Sequence, residues 1–568
     1  MTESRLLAVL SVLSLVASVG LGFWSMDGIP HVQDEVVYTL QSRIFASGAR
    51  WAPSDGGLEY FFWLNDRLSA GAFPVGWPAL LAVGEGVGLP WLVNPLLAAA
   101  LAPLMYRLAV VWLPSRTALL AAAIVSLSPA VLVLAASRMS HTSVLVALLL
   151  AAGVVARNER GRWLAAASVA LAYVVMARPF DAVLVGLPLL VVATVRGQRR
   201  LWIGPTLAGV VTLFDNAYVG GDATTWPMDA WFQTMGYGDC NGLGFGARCM
   251  GAYTLDDALT GLWHNLVLFD RLLLGVHGGA VVLLAGAVVW RKPLALTLLV
   301  VPLGYALYWS SGTAYGPRYW HAALVLVPLV TAVGLERLLG RRAWVVLPVL
   351  SLAGLLRLGG LQDAWCVDRG LVDADVQTEA LVLLAYGQDG QDPHPRLSAD
   401  GQGLVCSAAM AMGSGVMLAD PKGLAVHNAR TDRAGLDAWL QGRSATVAVL
   451  DVGSNHTVLL DYAALDTPAE DPDTRVAQAW ALRLLGETEG SRARVVGLQQ
   501  PVQLLSLARL HRAAEEPEVA LAVVEVALRE DPSDPGALLL KANLQVDLGD
   551  LELGNATWLR AEAAREDR

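Results

Sequence analysis

The segment Ile29-Pro30-His31-Val32-Gln33-Asp34-Glu35-Val36-Val37-Tyr38-Thr39-Leu40-Gln41-Ser42-Arg43 follows directly on an apolar run over 6–24. That run is long enough to cross a bilayer, so Asp34 and Glu35 stand where the chain leaves the membrane. A charge near hydrocarbon costs a few kcal/mol, and a carboxylate retained there is a functional-site hypothesis. The alternative is that both acids simply open an amphipathic helix, whose first turn favours negative charge.

The composition is that of a polytopic membrane protein. Of 568 residues, 55% are hydrophobic and only 16% are charged. The mean hydropathy is +0.49, which is outside the range of an ordinary soluble domain. Basic residues cluster between apolar runs up to about Arg342, whereas acidic residues crowd the region after Gln362. This split predicts a membrane domain over 1–361 and a separate acidic, water-soluble part after it.

Recurring apolar runs predict about eleven membrane spans, some of them marginal in length. The first run has no small-residue cleavage site after it, so we expect it to remain as a span. Clusters of Arg and Lys fall in every second connection, and placing them in the cytoplasm leaves external loops at 25–90 and 216–275. The segment 77–88 is too short to cross and is expected to be re-entrant or interfacial. Because the predicted number of spans is odd, the region after Leu361 is expected on the external side of the membrane. The later runs are 91–113, 118–136, 144–155, 164–176, 182–195, 201–213, 276–290, 293–309, 322–334 and 345–356.

All four cysteines fall in regions that this topology places outside the membrane. Disulfides persist in oxidising compartments, so Cys240 with Cys249 and Cys366 with Cys406 are the candidate pairs. Spacing alone does not prove this connectivity. The alternative is that all four are unpaired small hydrophobic residues.

Three arginines break the positive-inside pattern, because Arg138, Arg178 and Arg318 fall in connections assigned to the outside. Guanidinium binds phosphate through a planar fork, so an arginine-lined cavity at the outer leaflet fits a lipid phosphate. For any one of them the alternative is snorkelling to the interface. The same external loops supply further candidates for the cavity, which are His31, His141, Asp181, Asn216, Tyr218 and Tyr315.

The order of these features resembles the GT-C superfamily of membrane glycosyltransferases. The resemblance rests on a first span, the Asp34 and Glu35 pair, the element Phe73-Pro74-Val75-Gly76-Trp77-Pro78 and an external Arg178-Pro179. It covers about 6–361 and is nearest to protein O-mannosyltransferases and to bacterial aminoarabinose transferases that act on lipid A. It implies a sugar donor on a polyprenyl phosphate, Asp34 as the catalytic carboxylate with Glu35 as its neighbour, and Arg178 and Arg318 as phosphate contacts.

The chemistry agrees with that resemblance. Moving a sugar from a lipid phosphate to a hydroxyl needs a base beside the attacking oxygen and cations that stabilise the departing phosphate. We therefore predict an inverting glycosyltransferase that acts outside the membrane on a protein, lipid or glycan acceptor, with Asp34 as base. No phosphate-cradling nucleotide loop occurs in the sequence, which agrees with a lipid-linked donor. We expect no nucleic-acid partner. The sequence assigns no cofactor, and it leaves a divalent metal as an open alternative.

The rival function is a transporter, or a non-catalytic membrane anchor for the tail. A transporter should keep charges near the middle of several spans and show internal repeats. Charges lie at the ends of the predicted spans instead, and the two halves show no evident repeat. The sequence therefore favours the enzyme.

The sequence after residue 361 predicts two further regions. The region 362–500 has the composition of a small soluble α/β domain, with a strand expected at 446–451. Over 501–568 the apolar spacing becomes helical and resembles about one and a half to two tetratricopeptide repeats. Fewer than three repeats rarely form a stable fold by themselves, and we therefore expect these repeats to pack on another part of the chain. They predict a docking surface for a peptide or protein partner, and the alternative is a structural cap.

Overall fold

The chain divides into two compact units, residues 1–54 with 61–363, and residues 55–60 with 364–568. The architecture is that of a computed structural model. It describes residues 2–26, 28, 30, 32–53, 62–65, 68–234, 242–248, 251–290, 298–310, 312, 315–359, 380–386, 425–428, 433–440, 444–451, 456–485, 487–494, 505, 508, 509, 511, 512 and 517–566.

The first unit is mostly α-helical, as expected of a chain that must satisfy its backbone hydrogen bonds within lipid. Its small strands form an antiparallel sheet, β1 (Ala52–Pro53), β3 (Leu68–Gly71) and β2 (Phe62–Asn65), and a hairpin of β4 (Gly246–Arg248) and β5 (Gly251–Tyr253). The helices are α1 (Glu3–Trp24), α2 (Gln33–Ala46), α3 (Gly76–Gly86), α4 (Val93–Ala99), α5 (Leu101–Ala109), α6 (Ser115–Leu127), α7 (Pro129–Ala136), α8 (His141–Ala156), α9 (Arg162–Ala177), α10 (Pro179–Asp181), α11 (Leu187–Val195), α12 (Ile203–Gly220), α13 (Pro227–Thr234), α14 (Leu255–Leu274), α15 (Gly279–Trp290), α16 (Val300–Tyr305), α17 (Val327–Leu339) and α18 (Ala343–Gly359), with a 3₁₀ helix at Arg318–Val325.

Several of these helices are suited to a membrane. Within the described residues, three segments are long and apolar enough to cross one: Glu3–Trp24, Pro90–Ala109 and Val327–Leu356. Two bent pairs would raise the number to five, α6 with α7 at 45° and α14 with α15 at 85°. The first bend falls at Pro129, which cannot continue the helical hydrogen-bond ladder. The number of about eleven spans stays a prediction.

Glycines bring α15 and α17 into backbone contact. A Cβ added at Gly286 would lie 1.9 Å from the carbonyl oxygen of Val330, and one at Gly334 would lie 2.1 Å from that of Val282. Small residues at helix interfaces allow this close approach in membrane proteins. The two contacts, one helical turn apart, make α15 run antiparallel along α17.

The second unit contains a four-stranded sheet in the order β7-β6-β8-β9, parallel except for the last pair. The strand expected at 446–451 is present as β8. A bidentate contact from Arg433 to Asp466, with both distances 2.6 Å, lowers the pKa of that carboxyl. The elements are β6 (Ala380–Tyr386), β7 (Ala425–Asn428), α19 (Arg433–Leu440), β8 (Ala445–Asp451), β9 (His456–Asp461), α20 (Pro472–Leu484), α21 (Thr488–Arg494), α22 (Pro517–Glu530), α23 (Pro535–Asp547) and α24 (Leu551–Glu566).

Some expectations fall on residues outside this description. These are the cavity candidate His31 and the cysteines Cys240, Cys249, Cys366 and Cys406. The two disulfide pairs therefore stay predictions. So do the soluble domain over 362–500 and the tetratricopeptide interpretation of the last helices.

Candidate functional site

Glu35 in the first turn of α2 joins three segments of the first unit. Its side chain is buried, and the residue is only 1% exposed. One carboxylate oxygen accepts the backbone N–H of Arg138 at 2.5 Å. The other accepts the N–H of Val32 at 3.1 Å and the hydroxyl of Tyr315. Because donors already surround both oxygens, Glu35 acts as a brace between loops.

Asp34 differs from its neighbour in both exposure and partner. Successive helical residues diverge by about 100°, so the two acids face different surroundings. The Asp34 side chain is 22% exposed and pairs with Nη1 of Arg318 at 2.9 Å. This pairing brings together two residues that are far apart in sequence. Nε of Arg318 is buried and has no hydrogen-bond partner among the described residues.

The turn before Arg318 sets the direction of the Arg318 side chain. Tyr315 has φ of 60° and Gly316 has φ of 88°. A left-handed conformation is uncommon for a bulky residue and needs support from its surroundings. The hydroxyl of Tyr315 receives that support from Glu35. The two acids of α2 therefore hold both ends of one turn, Glu35 at Tyr315 and Asp34 at Arg318.

The second arginine of the site is held by a closed polar network. Nε of Arg178 donates to Asp181 at 2.5 Å, and Nη2 donates to the hydroxyl of Tyr305 at 3.0 Å. That hydroxyl in turn donates to Asp181 at 2.8 Å. The guanidiniums of Arg178 and Arg318 lie 5.5 and 5.3 Å from the ring centre of Tyr319. Two cations therefore meet at one aromatic ring, which favours them electrostatically.

Arg138 makes hydrogen bonds to other residues of the protein. Its Nη2 donates to the carbonyl of Gly28 at 3.0 Å, and its Nη1 lies 3.3 Å from the hydroxyl of Thr39. Its own carbonyl accepts the indole N–H of Trp77 at 2.7 Å. These contacts brace the first loop and use two of the five guanidinium N–H groups, and a phosphate contact of Arg138 stays a prediction.

The Phe73-to-Pro78 element positions Arg178. A Cβ at Gly76 would lie 2.7 Å from the backbone carbon of Met176 and 2.8 Å from the nitrogen of Ala177. Only glycine allows α3 to begin against the end of α9 in this way. Since Arg178 directly follows α9, this contact fixes the backbone from which its side chain extends.

Two histidines are buried beside the arginines. His141, which the sequence suggested, and His321, which it missed, are 2% and 3% exposed, with ring centres 6.2 Å apart. Residues three apart on a 3₁₀ helix share a face, so His321 lies on the face of Arg318; that spacing could have revealed it. The sequence contained no comparable spacing that would have identified Tyr305 or Tyr319 as residues of the site. The part of the chain that the structure describes contains no group of three or more His, Cys, Asp or Glu able to hold a metal ion.

Two other candidates for the cavity are Asn216 and Tyr218. Tyr218 is exposed and stacks on Trp51 at 4.6 Å, while Asn216 is buried and donates to a nearby backbone carbonyl. Trp51 follows Arg50, whose carbonyl accepts the Gln41 amide. That contact lies two helical turns along α2 from the acids, about 10 Å away. The contacts found for Asn216 and Tyr218 are thus with Ala223 and Trp51, and their place in the cavity stays a prediction.

A cavity of about 330 Å³ adjoins the arginine pair. It lies between the first turns of α14, the segment 302–310 and Trp320. Tyr305 belongs to both places, because its ring lines the cavity while its hydroxyl contacts Arg178 and Asp181. Ligand pockets range over about 300–1,000 Å³, so this cavity suits a small group.

No family model and no curated protein matches the chain. Solved structures do resemble it. ArnT from Cupriavidus metallidurans, in the apo state and bound to undecaprenyl phosphate, matches with a TM-score of 0.48 and 13% identity over 77% of this chain and 92% of that one. The Archaeoglobus fulgidus oligosaccharyltransferase in the apo form matches with a TM-score of 0.39 and 10% identity, over 85% of this chain and 72% of that one.

A third match is the archaeal oligosaccharyltransferase AglB, in complex with an inhibitory peptide and a dolichol-phosphate. Its TM-score is 0.34 at 12% identity, over 63% of this chain and 55% of that one. These matches are a likeness in fold alone. At TM-scores below 0.5, no residue role passes from those enzymes to this chain.

Proposed function

We propose that the chain is a membrane glycosyltransferase that moves a sugar from a polyprenyl-phosphate donor to an acceptor hydroxyl outside the membrane. The observation that carries this proposal is the pairing of Asp34, the more open of the two acids, with Arg318 at 2.9 Å. Arg178 lies over the same tyrosine ring. A carboxylate base beside two cations is what transfer from a phosphate leaving group requires.

The reaction follows from these positions. The donor phosphate binds the guanidinium of Arg318 and competes with Asp34 for it. The released carboxylate of Asp34 takes the proton of the acceptor hydroxyl as its oxygen attacks the anomeric carbon. The bond from that carbon to the phosphate oxygen breaks, and the electron pair stays on the phosphate. One displacement of this kind inverts the anomeric centre and leaves a polyprenyl phosphate.

The remaining charged residues support this step. Arg178, fixed by Asp181 and Tyr305, adds positive charge where the leaving phosphate becomes more negative. Glu35 is a positioning residue, since its oxygens are occupied by donors from three segments. The donor would be a sugar carried on a lipid such as undecaprenyl phosphate or dolichol-phosphate, the lipids present in the ArnT and AglB complexes.

The topology and the tail belong to the same proposal. We place the amino terminus in the cytoplasm and the region after 361 outside, because the dense basic connections then all lie inside. The last helices would offer their surface to a peptide or protein acceptor.

The test is Asp34→Asn in purified protein reconstituted in liposomes with undecaprenyl phosphate carrying mannose, glucose or arabinose. We expect sugar transfer to fall by about a hundredfold to ten-thousandfold. Binding of bare undecaprenyl phosphate should stay the same or tighten, because Arg318 loses its competing carboxylate. The matched control is Asp256→Asn, an exposed acid on α14, which should change neither quantity.

The two readouts separate the candidate functions. A transporter or a membrane anchor would show no transfer in the wild-type protein with any of the three donors. If the wild type transfers sugar and Asp34→Asn retains that rate, Asp34 is not the base.

A further inference from the structure

Helix α14 has three distinct faces. Its buried face includes Ala258 and Phe269. On one flank the side chains are polar and exposed, at Asp257, Thr260 and His264. On the other flank the exposed side chains are apolar, at Leu255, Leu259, Trp263 and Leu266, which are between 40% and 63% exposed. A helix that is apolar on one flank and polar on the other is suited to lie in the plane of a membrane surface.

The packing of the next helix gives α14 that orientation. α15 runs along α17, part of the candidate span Val327–Leu356. α14 is bent by 85° from α15, so it runs across the direction of the spans. Trp263 then lies at the membrane–water boundary, where tryptophan is enriched. The cavity on the polar side of α14 therefore lies at the level of lipid head groups.

The lining of that cavity suits an uncharged polar ligand. Tyr305, Tyr308, Trp309 and Trp320 supply aromatic faces, and Asp257, Thr260 and His264 of α14 also line the cavity. Among the described residues that line it there is no arginine or lysine. A phosphate would lack a counter-charge there, whereas a group with hydroxyls and apolar C–H faces finds both hydrogen-bonding partners and ring surfaces.

An aromatic stack joins the cavity to the arginine pair. The ring of Tyr305 stacks on Tyr319 at 4.8 Å, and Tyr308 meets the same ring edge-on at 5.8 Å. Tyr319 is the ring that Arg178 and Arg318 share. The cavity-lining Tyr305 thus contacts Arg178 directly through its hydroxyl, and the stack leads through the ring of Tyr319 to Arg318.

We infer that this cavity binds the sugar of the lipid-linked donor while its phosphate binds the arginine pair. The inference rests on the proposed function and adds to it the residues that distinguish one donor from another. Because the sugar is bonded directly to the phosphate, both subsites must adjoin, and Tyr305 provides that junction.

The test fills the cavity without disturbing the fold. Gly261 lines the cavity, and a Cβ built there meets no atom within 4 Å. Gly261→Leu therefore places a side chain into the open space, and leucine also has the higher helix propensity. The matched control is Gly209→Leu in α12, where a Cβ likewise meets nothing within 4 Å. Binding is measured in nanodiscs to undecaprenyl phosphate, bare or carrying mannose, glucose or arabinose.

We expect the wild type to prefer at least one sugar-bearing lipid over the bare lipid by about tenfold. Gly261→Leu should reduce that preference to about twofold or less and leave the affinity for bare lipid unchanged, and Gly209→Leu should keep it. If the wild type binds bare and sugar-bearing lipids equally, or Gly261→Leu keeps the preference, the cavity is not the sugar site. If no lipid phosphate binds, the proposed function itself fails.

Discussion

Replacing Glu35 by glutamine should destabilise the first unit. Its carboxylate accepts from the Arg138 N–H at 2.5 Å, from the Val32 N–H at 3.1 Å and from the Tyr315 hydroxyl. Glutamine keeps one acceptor oxygen and turns an amide NH₂ toward at least one of these donors. Hydrogen bonds to charged groups contribute about 1.5–3 kcal/mol, and a buried unsatisfied donor costs about 1–3 kcal/mol more. We therefore expect a loss of about 2.5–6 kcal/mol.

The assay is unfolding by SDS in mixed micelles, followed by tryptophan fluorescence. Asp256→Asn serves as the control, because the exposed acid should cost less than about 1 kcal/mol. A double-mutant cycle with Tyr315→Phe then isolates the contact. Since Glu35→Gln disturbs the same hydrogen bond, the double variant should cost less than the sum of the singles by about 1 kcal/mol or more.

Two results would refute this account of Glu35. Additivity of Glu35→Gln and Tyr315→Phe within about 0.5 kcal/mol would mean that the tyrosine hydroxyl is not held by this acid. A loss for Glu35→Gln as small as that of Asp256→Asn would mean that the carboxylate does not brace the three segments.

Two further predictions concern the arginine pair and its support. Arg318→Lys should weaken undecaprenyl-phosphate binding more than Arg178→Lys does, because two nitrogens of Arg178 are already taken within the protein; equal losses in a binding titration would contradict this. Gly76→Ala should destabilise the protein by about 1–3 kcal/mol, since its Cβ would lie 2.7 Å from backbone. Gly86→Ala, at the other end of α3 and in open space, should be neutral in the same unfolding assay.

The sequence alone determined the character of the first unit. Apolar runs and the positions of Arg and Lys depend on local composition, so they predict membrane helices without knowledge of contacts. The acids at 34 and 35 lie in the first turn of a helix, which the alternative interpretation of that segment predicted because this turn favours negative charge. The α-helical first unit could be predicted on these grounds, and so could the strand at 446–451.

Only the tertiary structure separated the two acids. Both follow the same span and have the same charge, and their different partners come from Arg138, Tyr315 and Arg318, more than 100 residues away. The same holds for the cavity, whose walls come from residues of two regions, 252–265 and 302–320. Side-chain partners of this kind depend on how helices pack, and helix packing depends on contacts such as that of Gly76 with the end of α9. A linear pattern does not contain that information, because many packings satisfy the same hydrophobic period.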